Sequence, residues 1–416
     1  MLVWSYLYYV LFPPLFKFDM NRLPVLFILL GLLFGQARIG EWQAYTAPLH
    51  INDIAGYEQQ AICGTNGGLL IYDQDENTFN TLTVIDQLAG TRINVVEIGQ
   101  DGYLWLGGVS PDGFVQVYDF KTKNSIAEFD FGLTEIIDIS IADSIGFVAF
   151  LENQDWGLME FIYRDEWIYR DVYRNWPTDF ESINAIEIWD DEVMVATDQG
   201  LFVGDWRGSN LKDPTSWEQP YTTLSGNISS LHENGSNILL VHERNVYHLT
   251  PNTSTPLTLL WDYFSDTDQF IDITQDSDGF LWGILDRKFM KLSDTAIDWQ
   301  LEVQSKYSFT CLTKMPDGQI IAGSEIGITL IDQDNQTMIR EIPNAPLTNQ
   351  VSAVTVLNDG RLVAGSKYGL SIKESWGWRN IAESNEIILT PTYNELRFAV
   401  DYIPVDFGGF VADMEQ

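Results

Sequence analysis

A unit of about forty-odd residues recurs along most of this 416-residue chain, and it limits the possible folds more than any other feature. Each unit reads as an apolar strand, a turn, a second strand ending in a pair of small residues, and a glycine-apolar step into a third strand. The small pair is Gly64-Thr65, Gly107-Gly108, Ala196-Thr197, Gly323-Ser324 and Gly365-Ser366. The step is Gly68-Leu69, Gly113-Phe114, Gly157-Leu158, Gly200-Leu201, Gly327-Ile328 and Gly369-Leu370, at intervals of about 42 to 47 residues; Asn245-Val246 and Lys288-Phe289 fill the two slots where glycine is lost. Asp101-Gly102, Asp278-Gly279, Asp317-Gly318, Asp359-Gly360 and Asn234-Gly235 mark a tight turn between the first two strands, with positive φ expected at both turn positions. A polar turn such as Asp73-Gln74-Asp75 leads toward a fourth strand, near which Trp167, Trp217, Trp299 and Trp378 fall.

A four-stranded antiparallel sheet of this size cannot bury two apolar faces alone, whereas sheets stacked around an axis bury both. Helical periodicity is almost absent. The expected fold is therefore all-β: a β-propeller of seven or eight four-stranded blades spanning residues 40–385. Small residues would fit its narrow centre, and Trp105 and Trp282 would fill the gaps between blades. Eight units begin near Ile51, Ile93, Ile136, Ile183, Ile228, Phe270, Phe309 and Val351, and a ninth near Ile387. One ring does not take nine, so residues 386–416 read as a partial further repeat, the possible start of a second propeller. The stretch Glu41 to Tyr45 reads as an outermost strand closing the ring from the amino-terminal end.

Asn21-Arg22, the apolar run Leu23 to Phe34 and Gly35-Gln36-Ala37 have the order of a secretory signal. Cleavage after Ala37 would start the mature protein near residue 38, with translation from Met20 and an upstream extension before it. Pro13-Pro14, Lys17, Asp19 and Arg22 interrupt the apolar stretch, and twelve residues are too few to span a bilayer. The expectation is a secreted, periplasmic or outer-surface protein with no transmembrane span in the mature chain.

With 59 acidic against 23 basic side chains the net charge is −36, which repels phosphate backbones, so no nucleic-acid partner is expected. Cys63 and Cys311 are too few for a disulfide framework and too isolated for a zinc site; both read as buried thiols, able to pair only if the ring sets their repeats side by side. Of the four histidines, His232, His242 and His248 share one unit, but the turn at Arg244-Asn245 separates the last two, so they read as structural. The turns beginning at Asp73 and Asp332 alternate oxygen ligands as calcium loops do, yet a solvated β-turn explains them. Asp276 to Trp282 resembles the Asp-box turn of sialidases, itself a structural element. No metal, cofactor or catalytic residue is expected.

Two resemblances follow from these motifs. Asp101-Gly102-Tyr103-Leu104-Trp105-Leu106-Gly107-Gly108 resembles the propeller repeat of the periplasmic sensors of two-component regulators, and Asp278 to Gly283 repeats it less perfectly. Gly40 to Tyr45, Ile51 to Ile54 and Gly64 to Leu69 resemble the amino-terminal propeller of PorZ-type proteins of the type IX secretion system. The second resemblance implies a surface component followed by a second propeller and a sorting domain, with a role in handling anionic lipopolysaccharide. It transfers no binding residue.

The leading reading is a non-catalytic extracytoplasmic binding or assembly module whose partner is a protein or a surface glycan or lipopolysaccharide. A sensor propeller of a two-component-type receptor is the alternative, and a polysaccharide-active hydrolase or lyase a second. Function concentrates on loops, so the candidates lie between second and third strands: Asn66, Asp112, Asp155, Trp156, Gln199, Lys367 and Tyr368. Trp156 stands out as an aromatic expected in water.

Overall fold

The computed structural model describes residues 42–382, except 110–111, 252, 263–268, 277, 294–295, 303–306 and 333–336. The signal segment and the unit expected from Ile387 lie outside these residues. Eight four-stranded antiparallel sheets follow one another along the chain, each from one continuous segment with neighbouring strands paired in sequence order. The first strands of blades 1 to 8 are Ile51–Tyr57, Arg92–Ile98, Glu135–Ala142, Ile183–Trp189, Ile228–Asn234, Asp272–Gln275, Phe309–Lys314 and Ala353–Val356. They begin within two residues of the starts read from the repeat.

Local chemistry accounts for each blade. In the Asp-Gly turns only the glycine takes positive φ, 78° at Gly102 and 93° at Gly318. The aspartate instead accepts the N–H two residues on, from Tyr103 to Asp101 and from Gln319 to Asp317. At the second turn, a buried Thr or Ser closing the small pair holds the chain reversal. Thr65, Thr197, Ser324 and Ser366 each donate to the carbonyl of the glycine three residues on and accept an N–H two residues on. That glycine is obligatory: a Cβ on Gly68, at φ +114°, would lie 2.3 Å from the Leu82 carbonyl oxygen.

The first strands of successive blades pack side by side from blade 1 to blade 7, and that of blade 1 packs against the first two strands of blade 7. The ring thus closes with seven blades, over residues 51–341. The small second-strand residues receive the next blade: a Cβ on Gly107 would meet Ile136 of blade 3 at 2.4 Å, and one on Gly323 would meet Ile51 of blade 1 at 2.8 Å. Trp105 fills the gap between blades 2 and 3 against Phe161 and Trp167, and Trp282 the gap between blades 6 and 7. Cys63 and Cys311 do meet across the closure, in one apolar cluster, as free buried thiols.

Two expectations change. Residues 42–47 form no strand, and blade 7 carries its own fourth strand, Thr337–Glu341. Among the described residues no strand from the amino-terminal end closes the ring; side-chain packing and the Gly327 N–H to Leu49 carbonyl bond do. Blade 8 stands outside the ring. In blades 1 to 7 the first apolar residue and the one three places on are buried against the preceding blade, as Ile51 and Ile54 or Phe309 and Leu312 are. Their counterparts in blade 8, Val351 and Val354, are 42% and 62% exposed. Blade 8 is instead tethered by Asn349, which accepts from the Ala47 N–H and donates to the carbonyls of Ala47 and Asn66, and by Tyr45 edge-on to Trp378.

Candidate functional site

The seven loop candidates do not form one site. Asn66 is held in place, its amide oxygen accepting from Asn52 and its carbonyl from Asn349. Asp112 and Asp155 are exposed. Gln199, also exposed, donates to the Asp198 carboxylate. Lys367 and Tyr368 are exposed with the ammonium 4.9 Å from the ring centre, but they belong to blade 8 and not to the ring. Trp156 is only half-exposed: it packs on the core between blades 3 and 4, and its carbonyl accepts from the Trp176 indole. The glycine after it leaves room for Phe150, which a Cβ there would meet at 2.5 Å. No hydrogen bond among the described residues joins any two of the seven.

The ring does converge on its axis, where the first strands line a channel of about 540 Å³. A β-bulge opens most of these strands just after the first apolar residue, between Ile51 and Asp53, Ile93 and Val95, Ile183 and Ala185, Ile228 and Ser230, and Phe309 and Cys311. Bulges re-aim side chains. The bulged Asn52, Asn94 and Asn184 each donate to the carbonyl of the next blade's first apolar residue, at 2.7, 3.2 and 2.8 Å.

One place further on, aspartates act as struts between blades. Asp53 accepts the N–H of Ile54 and of Val96 in blade 2, both at 2.8 Å. Asp138 does the same with Ile139 and Ile186 of blade 4, and Asp272 with Ile273 and Leu312 of blade 7. Burial in the channel wall raises Asp53 to about 6 and Asp138 to about 7, against the N–H bonds that favour the carboxylates.

Two places beyond the struts stand Glu97 in blade 2, Ser140 in blade 3, Glu187 in blade 4 and His232 in blade 5. Glu187 is tied down: it accepts from Ser140 Oγ at 3.0 Å, from the Ile188 N–H, and from the Glu233 N–H of the next blade. His232 Nε2 lies 2.8 Å from Asp272 Oδ1. Burial pulls its pKa down, but Asp272, Glu187 and Asp138 outweigh that and push it up to about 9. Glu97 accepts no hydrogen bond among the described residues. Burial, then Glu187, Asp53 and Asp138, hold its carboxyl well above the ordinary range.

The other two ring histidines are structural, His242 on the Ser225 carbonyl and His248 near Gln275. Asp73 turns its carboxylate to Gln60 and the Glu76 N–H, as a β-turn does. Among the described residues no three His, Cys, Asp or Glu side chains come together as metal ligands would. The sequence did carry a sign of the channel, in Ile51-Asn52-Asp53-Ile54, Ile136-Ile137-Asp138-Ile139 and Phe270-Ile271-Asp272-Ile273, an aspartate at one fixed place in three units.

Comparison with known proteins adds fold but no family. No family model matches the chain, and no curated protein matches it in sequence. Among solved structures it is similar to PorZ, a surface component of the type IX secretion system of Porphyromonas gingivalis, at TM-score 0.62 and 15% identity over 84% of this chain and 48% of that one. It is also similar to the extracellular domain of a hybrid two-component system from B. thetaiotaomicron, at TM-score 0.52 and 15% identity over 83% of this chain and 48% of that one. A Myceliophteria thermophila Swd1 propeller domain matches at TM-score 0.53 and 14% identity, over 68% of this chain and 95% of that domain. The fold is a β-propeller. The chain spans about half the length of the first two proteins, both extracellular or surface-located. No helix among the described residues is long and apolar enough to cross a membrane.

Proposed function

We propose that this protein is a non-catalytic binding or assembly module that works outside the cytoplasmic membrane, at the cell surface or in the periplasm. The observation that carries this reading is the use made of the axial aspartates. Asp53, Asp138 and Asp272 each commit both carboxylate oxygens to backbone N–H groups of two adjacent blades. A carboxylate so held serves rigidity, and a glycosidase would need two carboxylates free to exchange protons with substrate. A rigid ring is the usual support for binding loops. The secretory order of residues 21–37 and the likeness to PorZ support the location, and the likeness to PorZ favours a surface glycan or lipopolysaccharide, or a protein of the secretion apparatus, as partner.

Blade 8, with Val351 and Val354 uncovered, supports reading residues 386–416 as a further unit of a second ring. The test is binding of the secreted protein to a panel of bacterial surface glycans including lipopolysaccharide, with product analysis alongside. The expected result is saturable binding without cleavage, weakened by Asp112→Ala or Gln199→Ala. Cleavage of any glycan, or export that leaves the protein in the cytoplasm, refutes the reading. A sensor propeller would bind a soluble oligosaccharide in preference to the intact surface polymer.

A further inference from the structure

Two places in each blade, one and two residues after its first apolar residue, carry the side chains that reach from one blade to the next. Asn52, Asn94 and Asn184 bridge blades 1 to 2, 2 to 3 and 4 to 5. Asp138 and Asp272 bridge blades 3 to 4 and 6 to 7, and Ser230 of blade 5 reaches Asp272 at 3.3 Å. Blade 7 is the exception. Its two places hold Thr310 and Cys311; the threonine hydroxyl donates to the thiol beside it at 3.8 Å, and neither side chain bonds blade 1 among the described residues. The seam at which the ring closes thus lacks the polar bridge found at the other six. Apolar packing of Ile51, Ile54 and Met315 around the buried Cys63 and Cys311 remains, and such packing is non-directional.

What spans this seam is a strap made by residues 45–49. Tyr45 packs edge-on against Trp378 of blade 8 at 5.3 Å, Ala47 exchanges two hydrogen bonds with Asn349, and the Leu49 carbonyl accepts the Gly327 N–H of blade 7 at 2.7 Å. Asn349 also donates to the Asn66 carbonyl of blade 1 at 2.8 Å. It lies on the link that leaves blade 7, and blade 8 grips that link. Asn344 exchanges two hydrogen bonds with the Trp378 backbone, Asn380 donates to the Ala345 carbonyl, and Ser371 Oγ accepts the Leu347 N–H. The chain leaves blade 7, is fixed to blade 8 and is bonded back to blade 1.

We propose that blade 8 and the link before it are a clasp on the ring. While Asn349 and Tyr45 are engaged, the seam between blades 7 and 1 stays shut; their release lets the ring open there ahead of the other six seams and ahead of global unfolding, uncovering Cys63 and Cys311 together. This conformational device goes beyond the binding role proposed above and does not depend on it.

The experiment is alkylation of the intact protein by iodoacetamide without denaturant, with Cys63 and Cys311 followed separately by peptide mass spectrometry. In the wild type both thiols should stay unreacted over minutes and be alkylated only over hours. Asn349→Ala, at an exposed residue, removes three hydrogen bonds and should speed both thiols by the same factor, about tenfold. Tyr45→Ala should act in the same direction. Asn184→Ala removes a bridge between blades 4 and 5 and should leave both rates within about twofold of wild type. Thr310→Asn gives blade 7 the residue that bridges blades 1 to 2, 2 to 3 and 4 to 5, in reach of the Ile51 carbonyl; added to Asn349→Ala it should return both rates most of the way to wild type. Labelling should also depend less steeply on low urea than global unfolding does, because an opened seam exposes less surface. The proposal is overturned if Asn349→Ala is alkylated at the wild-type rate, if only one thiol responds, if Asn184→Ala responds as strongly, or if labelling follows the urea dependence of global unfolding. Should Asn349→Ala fail to fold, Tyr45→Ala and Thr310→Asn alone decide: faster alkylation in the first and slower in the second is expected, and wild-type rates in both overturn the proposal.

Discussion

The channel carboxylates make the stability of the ring depend on pH in an unusual direction. Asp138 lies about three pH units above the ordinary 3.8 in the folded protein, at about 7, and Asp53 at about 6. Between pH 4 and 7 the folded state holds protons that the unfolded chain has released, so stability falls as pH rises through this window. Three pH units on one group correspond to about 4 kcal/mol and two to about 3 kcal/mol. The channel is open to solvent, whose screening leaves about half of each. From pH 5, where part of the effect is already spent, to pH 8 the unfolding free energy should therefore fall by about 2 to 3 kcal/mol. With a urea m-value of about 3 kcal/mol/M that lowers the midpoint by nearly 1 M. His232 acts in the same sense at higher pH: raised from 6.5 to about 9, its contribution is complete below pH 6.5 and is lost as pH passes 9. His50 and His248, both depressed by burial, oppose the trend below pH 6.5.

The decisive variant is Asp138→Asn. It keeps one oxygen for the Ile139 or Ile186 N–H and cannot titrate, so its midpoint should fall between pH 5 and 8 by roughly half as much as that of wild type. Any constant cost of the amide shifts the whole curve and leaves the slope readable. Tryptophan fluorescence in urea at four pH values suffices. A wild-type midpoint that stays level or rises over this range, or an Asp138→Asn protein with the wild-type slope, would refute the linkage.

Three further outcomes test the packing. Trp282 donates its indole N–H to Asp276 at 2.7 Å, whereas Trp105 Nε1 is buried without a partner and Gly99 occupies the place of Asp276; Gly99→Asp should stabilise the ring by about 1 kcal/mol in urea unfolding, once Asp101 has turned aside. Fully buried Glu160 holds Arg170 at 2.7 Å and the Tyr173 hydroxyl, so Glu160→Ala should cost about 3 kcal/mol in the same assay and Glu160→Gln markedly less. Cys63 and Cys311 are free, buried and raised in pKa by burial, so a thiol reagent should titrate neither thiol in the folded protein and both in denaturant.

The amino-acid sequence by itself determined the blades. Asp-Gly turns, the Thr or Ser that holds the second hairpin and the glycine that follows act within a few residues, and every sheet comes from one continuous segment. Strand starts were therefore legible, and the error in the Asp-Gly turns was confined to which residue takes positive φ. What lies between blades was decided only in three dimensions. Whether seven or eight blades close depends on how tightly Ile136 seats on Gly107 and Ile51 on Gly323, and on the angle that accumulates around the ring. The periodicity that marks Val351 as a repeat start is the same for a blade inside the ring and one outside it. The strut aspartates reach their second partners 40 to 48 residues away, so each looked like one acid among 59. Trp156 drew attention as an aromatic beside a turn, and tertiary packing half-buried it. Local turn chemistry fixes the unit, while non-local packing fixes the number of units in the ring and gathers their acids at its axis.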